Sequence, residues 1–159
     1  MKITPLIISL LISLSSFSQI STVEKQDESK TIGQINLYNS TGLNGTATFQ
    51  MASIIDGKQY YYLGWQNQDY STITDIASIM FHATPNEIDS LFDMFKTILK
   101  TGEKQTLNLG DKRLTVSRIA KDTIWFYTSD GFFDCNAAAL HALFGKPWNK
   151  KQWKSFLKS

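Results

Sequence analysis

One segment near the middle of the chain constrains the fold most. Thr84 can cap the first free N–H groups of a helix, Pro85 suits the first helical position, and Glu87 completes a capping box. Gly102 provides the stop signal. Between these two ends, apolar residues recur every three or four positions and therefore share one helical face: Ile88, Leu91, Phe92, Phe95, Ile98 and Leu99. A helix with one such face has to bury it, and we expect it to pack on a sheet.

Strand patterns precede and follow this helix. Each is a short run of alternating or β-branched and aromatic residues, and the turns between them include Asp56-Gly57, Gly110-Asp111 and Lys121-Asp122. The predicted strand runs are 46–55, 58–65, 72–82, 104–109, 113–119 and 123–128. Near the C-terminus, Asn136 can cap a short second helix that Gly145 ends.

Strands that follow one another through tight turns pair antiparallel, and helices with one apolar face cover such a sheet. The sequence therefore predicts an α+β fold, a mainly antiparallel sheet of about six strands with two or three helices. Three strands and a helix occur twice in this order. We interpret the repetition as a possible βββα-βββα duplication, based on element order and not on residue identity.

The first residues have the order of a secretory signal peptide. Lys2 supplies a positive charge, an apolar run follows from Leu6 to Leu14, and Ser16 and Ser18 are the small residues that a signal peptidase needs before its cut. The apolar run is too short to span a membrane, which takes about 20 residues. We expect export of a bacterial type, to the periplasm or outside the cell. Because no Cys follows the run, we expect no lipid anchor.

These signals divide the chain into three parts. Residues 1–18 are the predicted signal peptide, 19–31 a polar, disordered lead-in, and 32–159 a single α+β domain that ends in a basic amphipathic helix. Loss of Lys2 with the leader lowers the formal net charge from +2 to +1. So small a charge argues against a general nucleic-acid binder.

Cysteine and histidine are too few for most metal or redox sites. Cys135 is the single cysteine, so no internal disulfide can form, and no metal-ligand spacing is present. We expect no metal and no cofactor.

Three residues are candidates for catalysis. Cys135 precedes a predicted helix, whose N-terminal dipole would lower the pKa of its thiol and favour a nucleophilic thiolate. The base would be His82 or His141, and His141 lies on a different face of that helix. The alternative for Cys135 is a buried thiol that acts as a small hydrophobe, and for His82 a structural hydrogen bond.

Aromatic residues in the strands suggest a binding surface. Side chains alternate along a strand, so Tyr60 and Tyr62 lie opposite to Tyr61 and its inward-facing neighbours. Trp125 and Tyr127 alternate in the same way in a later strand. If all four face outward, they form an aromatic patch suited to a glycan or a protein partner. The alternative is a covered outer face.

The last residues combine lysines with aromatic side chains. Trp153, Phe156 and Leu157 share one face of a predicted helix, and the lysines surrounding them are Lys150, Lys151, Lys154 and Lys158. This composition can lie on an anionic membrane surface or contact phosphates. The alternative is a terminal helix that docks through its aromatic residues.

Three functional hypotheses follow. The leading one is an exported binding or interaction domain without catalytic activity. The second is a small secreted hydrolase or thiol-dependent enzyme that uses Cys135 with a histidine. The third is a protein that associates with membrane surfaces through its lysine-rich C-terminal segment.

Overall fold

The computed structural model describes residues 29–38, 44–55, 57–68 and 75–159. Within these ranges it contains eight strands and three helices, all strands pairing antiparallel, so the predicted α+β class is confirmed. The elements are β1 (Lys30–Tyr38), β2 (Asn44–Ile55), β3 (Lys58–Gln66), β4 (Ile76–His82), α1 (Pro85–Thr101), β5 (Gln105–Leu109), β6 (Lys112–Ala120), β7 (Thr123–Thr128), β8 (Gly131–Asn136), α2 (Ala137–Leu143) and α3 (Lys150–Phe156).

The strand count and repeat order differ from the prediction. Instead of one sheet of about six strands there are two four-stranded meanders, β1-β2-β3-β4 and β5-β6-β7-β8, and the order is ββββα-ββββαα. The two unpredicted strands are β1 and β8. In β1, a register shift between Thr31 and Gly33 shortens the run in which inward and outward side chains alternate. In β8, the adjacent aromatic residues Phe132 and Phe133 make this alternation hard to recognise in the sequence.

The predicted leader and residues 19–28 of the lead-in lie outside the described residues. The same holds for Asp56 of the first hairpin turn. Strand β1 begins at Lys30, slightly before the predicted domain start at Ile32.

The capping box forms as predicted. The backbone N–H of Glu87 donates to Thr84 Oγ1 at 3.3 Å, and the N–H of Thr84 donates to Glu87 Oε2 at 2.7 Å. At the other end, Gly102 has φ 80° and donates its N–H to the carbonyl oxygen of Ile98. The Arg118 guanidinium of β6 donates to the carbonyl of Leu99 at 3.0 Å, which satisfies a backbone acceptor that the last turn leaves open.

Each of the first two helices packs on the sheet of the other half. Helix α1 follows the first sheet but packs on β6 and β7, where the Phe95 and Phe126 rings are 5.1 Å apart. Helix α2 follows the second sheet but packs mainly on β1, and the Phe144 ring just beyond it lies 4.9 Å from that of Phe49 in β2. Because the helices are exchanged in this way, the two halves share one hydrophobic core.

The sheets meet where β3 ends and β8 begins. The backbone N–H of Gln68 donates to the carbonyl of Phe132 at 3.1 Å. Below this junction the Trp65 and Phe133 rings lie 5.3 Å apart in the core. The junction therefore fixes the start of β8, and with it the side chains that β8 presents on its outer face.

Candidate functional site

Cys135 lies inside the protein. Its side chain points from β8 into the core and is 6% exposed, and its strand partner in β7 is Ile124. Burial, and secondly the charge of Asp134, raise the pKa of the thiol far above its ordinary value. The helix-dipole hypothesis expected the opposite direction. Desolvation outweighs the dipole here because the neutral thiol is the form that an apolar environment favours.

The two histidines lie in different surroundings. His82 is exposed at the end of β4, with its ring 6.0 Å from that of Tyr60. His141 of α2 is half-buried among aromatic rings, the nearest being Phe92 at 4.9 Å and Trp148 at 5.0 Å. Its Nδ1 lies 2.8 Å from the carbonyl oxygen of Pro147. Among the described residues, no hydrogen bond or ion pair links either histidine to Cys135.

Side chains alternate in β3 as the sequence predicts. Tyr61, Leu63 and Trp65 are buried, whereas Tyr60 and Tyr62 lie half-buried on the outer face of the first sheet. The Tyr62 ring covers Gly64 so closely that a Cβ at Gly64 would overlap it. Tyr62 thus lies along its own strand.

Trp125 and Tyr127 occupy the outer face of the second sheet. Their rings stack with centroids 5.2 Å apart and an interplanar angle of 27°. Phe132 of β8 adds a third ring, 5.6 Å from Trp125. We call Trp125, Tyr127 and Phe132 the outer aromatic cluster. Tyr127 is its most accessible member, with 43% of its surface exposed.

The four predicted binding aromatics do not form one patch. Tyr60 and Tyr62 belong to the first sheet and the Trp125–Tyr127 pair to the second. Within the part of the chain that the structure describes, no ring contact joins the two pairs. The ring that does extend the second pair, Phe132, was not identified from sequence. Its strand was not predicted, so its outward direction was not apparent.

Polar groups flank the outer aromatic cluster. Asp134 in β8 and Ser117 in β6 lie on either side of Trp125, and Thr115 lies next to Tyr127. Burial raises the pKa of the Asp134 carboxyl, with a hydrogen bond from its own backbone N–H acting in the opposite direction. Asp130, in the turn that leads into β8, instead forms an ion pair with Lys112, and the hydrogen bond from that lysine lowers its pKa.

The C-terminal helix is docked on the domain. Trp153 is 8% exposed, and Phe156 and Leu157 are partly buried against the core. The ammonium groups of Lys96 and Lys100 in α1 each lie 5.1 Å from the centre of the Phe156 ring. The lysines named from sequence, Lys150, Lys151, Lys154 and Lys158, are exposed. Most of the apolar face of α3 therefore packs on its own domain.

Docking of α3 creates a cleft of about 760 Å³ between α3, the start of α2 and the β6–β7 turn. We call it the basic cleft. Three of the predicted lysines line it, together with Trp148, Trp153 and Leu157, whereas Lys151 does not. Lys121 and Asp122 also line it. They come from a turn distant in sequence, so no local pattern could have identified them.

Metal ligation and membrane crossing can be judged for residues 29–38, 44–55, 57–68 and 75–159. No group of three or more His, Cys, Asp or Glu side chains in those ranges is placed to hold a metal ion. None of the helices found there is long and apolar enough to cross a bilayer.

Comparison of the chain with models of protein families, with curated proteins and with solved structures gave no match in any of the three.

Proposed function

We propose that this protein is an exported, non-catalytic binding domain that holds a carbohydrate on the outer aromatic cluster. The observation that carries the proposal is the group of three rings on the outer face of β7 and β8, beside the carboxyl of Asp134.

The cluster has the chemistry of a sugar site. Aromatic rings pack against the apolar C–H face of a sugar, and a ring pair in proteins contributes about 0.5–1.5 kcal/mol beyond its area burial. Asp134, Ser117 and Thr115 supply acceptors and hydroxyls at the margin of the rings, where sugar hydroxyls would lie. Three rings offer enough surface for one or two sugar units. They offer too little for a stable protein interface, which buries about 800 Å² per partner.

Two observations weigh against the thiol-dependent enzyme. The Cys135 thiol is buried with a raised pKa, so little of the nucleophilic thiolate is present near neutral pH. His141 has one ring nitrogen against the Pro147 carbonyl and its ring enclosed by aromatic residues, which leaves it poorly placed as a general base.

A glycan array with matched variants tests the proposal. We expect the unaltered protein to bind a subset of glycans and Tyr127→Ala to lose most of that binding, because Tyr127 is the exposed ring. Tyr60→Ala is the control, since it removes an outward tyrosine from the other sheet. Asp134→Asn keeps the shape and removes the charge, and we expect weaker binding. Equal losses in Tyr60→Ala and Tyr127→Ala, or no glycan bound by the unaltered protein, would contradict the proposal.

Export has its own test. The small residues Ser16 and Ser18 favour cleavage before Gln19. We expect intact-mass analysis of the protein recovered from a secreting bacterial host to give a chain that starts at Gln19, partly cyclised to pyroglutamate. An uncleaved chain retained in the cytoplasm would contradict export and leave the binding proposal unaffected.

A further inference from the structure

The basic cleft has the size of a small-molecule site. Its volume of about 760 Å³ falls in the range of roughly 300–1,000 Å³ that is usual for small-molecule sites. Its walls come from three separate elements, α2, α3 and the β6–β7 turn. A site between packed elements is held open by the fold and does not depend on one loop.

The floor of the cleft is apolar and aromatic. Trp153 and Ala137 are buried beneath it, and Trp148 stands at its side with 38% of its surface exposed. The Trp148 and Trp153 rings lie 5.9 Å apart. Trp148 is also held by the edge of the His141 ring, and His141 is tied to the carbonyl of Pro147, the residue before Trp148. The exposed indole thus packs against His141 and Trp153 and offers an apolar surface to a ligand.

The rim of the cleft carries positive charge that the fold leaves unbalanced. Four lysines line the cleft, Lys121, Lys150, Lys154 and Lys158, against the single carboxylate of Asp122. The three ion pairs found among the described residues involve other lysines. Lys150 and Lys154 are one helical turn apart in α3, a spacing at which like charges repel and disfavour the helix. An anion held between them would relieve that repulsion.

We infer that the basic cleft binds a single amphiphilic anion, a carboxylate or phosphate head group on an acyl or aromatic body. The head group lies among Lys150, Lys154 and their neighbours on the rim, and the apolar body covers Trp148 and the floor. This site is separate from the outer aromatic cluster and holds a ligand of a different class.

A membrane surface fits the structure less well than a single molecule. An amphipathic helix binds a bilayer by inserting its apolar face among the lipids. In α3 most of that face is already packed, because Trp153 is buried and the Phe156 ring lies beneath the ammonium groups of Lys96 and Lys100. Beside α3 the cleft offers an accessible apolar surface, and this surface is concave.

The direct test is calorimetric titration with dodecanoate below its critical micelle concentration, with tryptophan emission as a second readout. We expect saturable binding of one molecule per chain and a change in tryptophan emission. Lys150→Gln/Lys154→Gln removes two rim charges, and we expect about tenfold weaker binding or more, since ionic hydrogen bonds are lost. The matched control is Lys104→Gln/Lys151→Gln. It removes the same charge from exposed positions outside the cleft and should bind as the unaltered protein does.

Three additional probes separate the alternatives. Dodecyltrimethylammonium has the same chain with the opposite charge, and binding as tight as that of dodecanoate would overturn the role of the lysines. Inorganic phosphate carries no apolar body, and equal affinity for it would overturn the amphiphile. Phosphatidylglycerol vesicles that bind the protein while dodecanoate does not would assign the cleft to a membrane surface instead. Equal weakening in both double variants would also overturn the inference, and unfolding curves confirm that each variant is folded.

Discussion

The side chain of Asn67 bridges the two sheets, with its Oδ1 accepting a hydrogen bond from the backbone N–H of Phe132 at 3.1 Å. Its Nδ2 lies 3.2 Å from the carbonyl oxygen of Asp130 and 3.0 Å from Asp75 Oδ2. The residue is 3% exposed. One buried amide therefore satisfies backbone groups at the start of β8, next to the ring of Phe132 in the outer aromatic cluster.

We expect Asn67→Ala to lower the free energy of unfolding by about 2–3 kcal/mol, because buried backbone groups lose their partner. Urea unfolding followed by circular dichroism measures the change. Asn36→Ala, on an exposed position of β1, is the control and should cost about 0.5 kcal/mol or less. Similar losses in the two variants would mean that the bridge contributes little.

Gly33 gives a second stability prediction. A Cβ at this position would overlap the backbone carbonyl groups of Ala142 and Leu143 at the end of α2. Backbone atoms cannot turn aside as a flexible side chain does, so Gly33→Ala has to displace α2 from β1. We expect a loss of about 1–3 kcal/mol in urea unfolding, the usual cost of overpacking. The adjacent exposed Gln34→Ala should leave the midpoint nearly unchanged, and an equally stable Gly33→Ala would contradict the close packing.

His141 should make stability fall in acid. Burial, and to a lesser extent the charge of Lys96, lower its pKa in the folded protein, against the raising effect of the bond to Pro147. The unfolded chain then takes up the proton first, so stability from this group is full above about pH 6.5 and is lost as pH falls towards the folded pKa. Urea unfolding at several pH values should show a shallower fall in His141→Phe.

Asp134 should change the pH dependence of stability in the opposite direction to His141. Its variant is therefore the control for His141→Phe. Its raised pKa means that the folded protein binds the proton first, so this group favours the folded state as pH falls through that pKa. Asp134→Asn should therefore steepen the acid loss of stability, whereas His141→Phe reduces it. If both variants keep the unaltered pH profile, neither group controls acid stability.

The Cys135 thiol should be protected in the native state. We expect iodoacetamide to label it far more slowly than free cysteine and to react readily after denaturation, because the thiol is buried and protonated. Mass spectrometry of timed samples measures both rates. Labelling of the folded protein faster than free cysteine would restore the thiol-dependent enzyme as a hypothesis.

Local patterns predicted the parts of the fold that neighbours in sequence decide. The capping box at Thr84, the apolar face of α1 and the cap at Asn136 all form as predicted, because each depends on residues within one or two helical turns. The inward direction of Tyr61 and Trp65 is likewise a consequence of strand alternation. Strand β8 was missed because Phe132 and Phe133 face opposite sides yet look alike in the sequence.

Only part of each candidate site could be predicted from the sequence, because the other residues join it through contacts between separate elements. Trp125 and Tyr127 could be identified from alternation along one strand, but Phe132 and Asp134 join them only through the pairing of β7 with β8. Lys150 and Lys154 could be identified from composition, but Lys121 reaches the same cleft from a turn on another element.

The sequence by itself determined the helix starts and stops, the alternation of the strands and the α+β class, since short-range hydrogen bonding and side-chain period act between near neighbours. Tertiary structure alone decided that the helices exchange sheets, that burial keeps Cys135 protonated and that α3 docks to leave a basic cleft. Those outcomes depend on desolvation and on contacts between residues far apart in the chain. Such contacts exist only once the two halves have packed into one core.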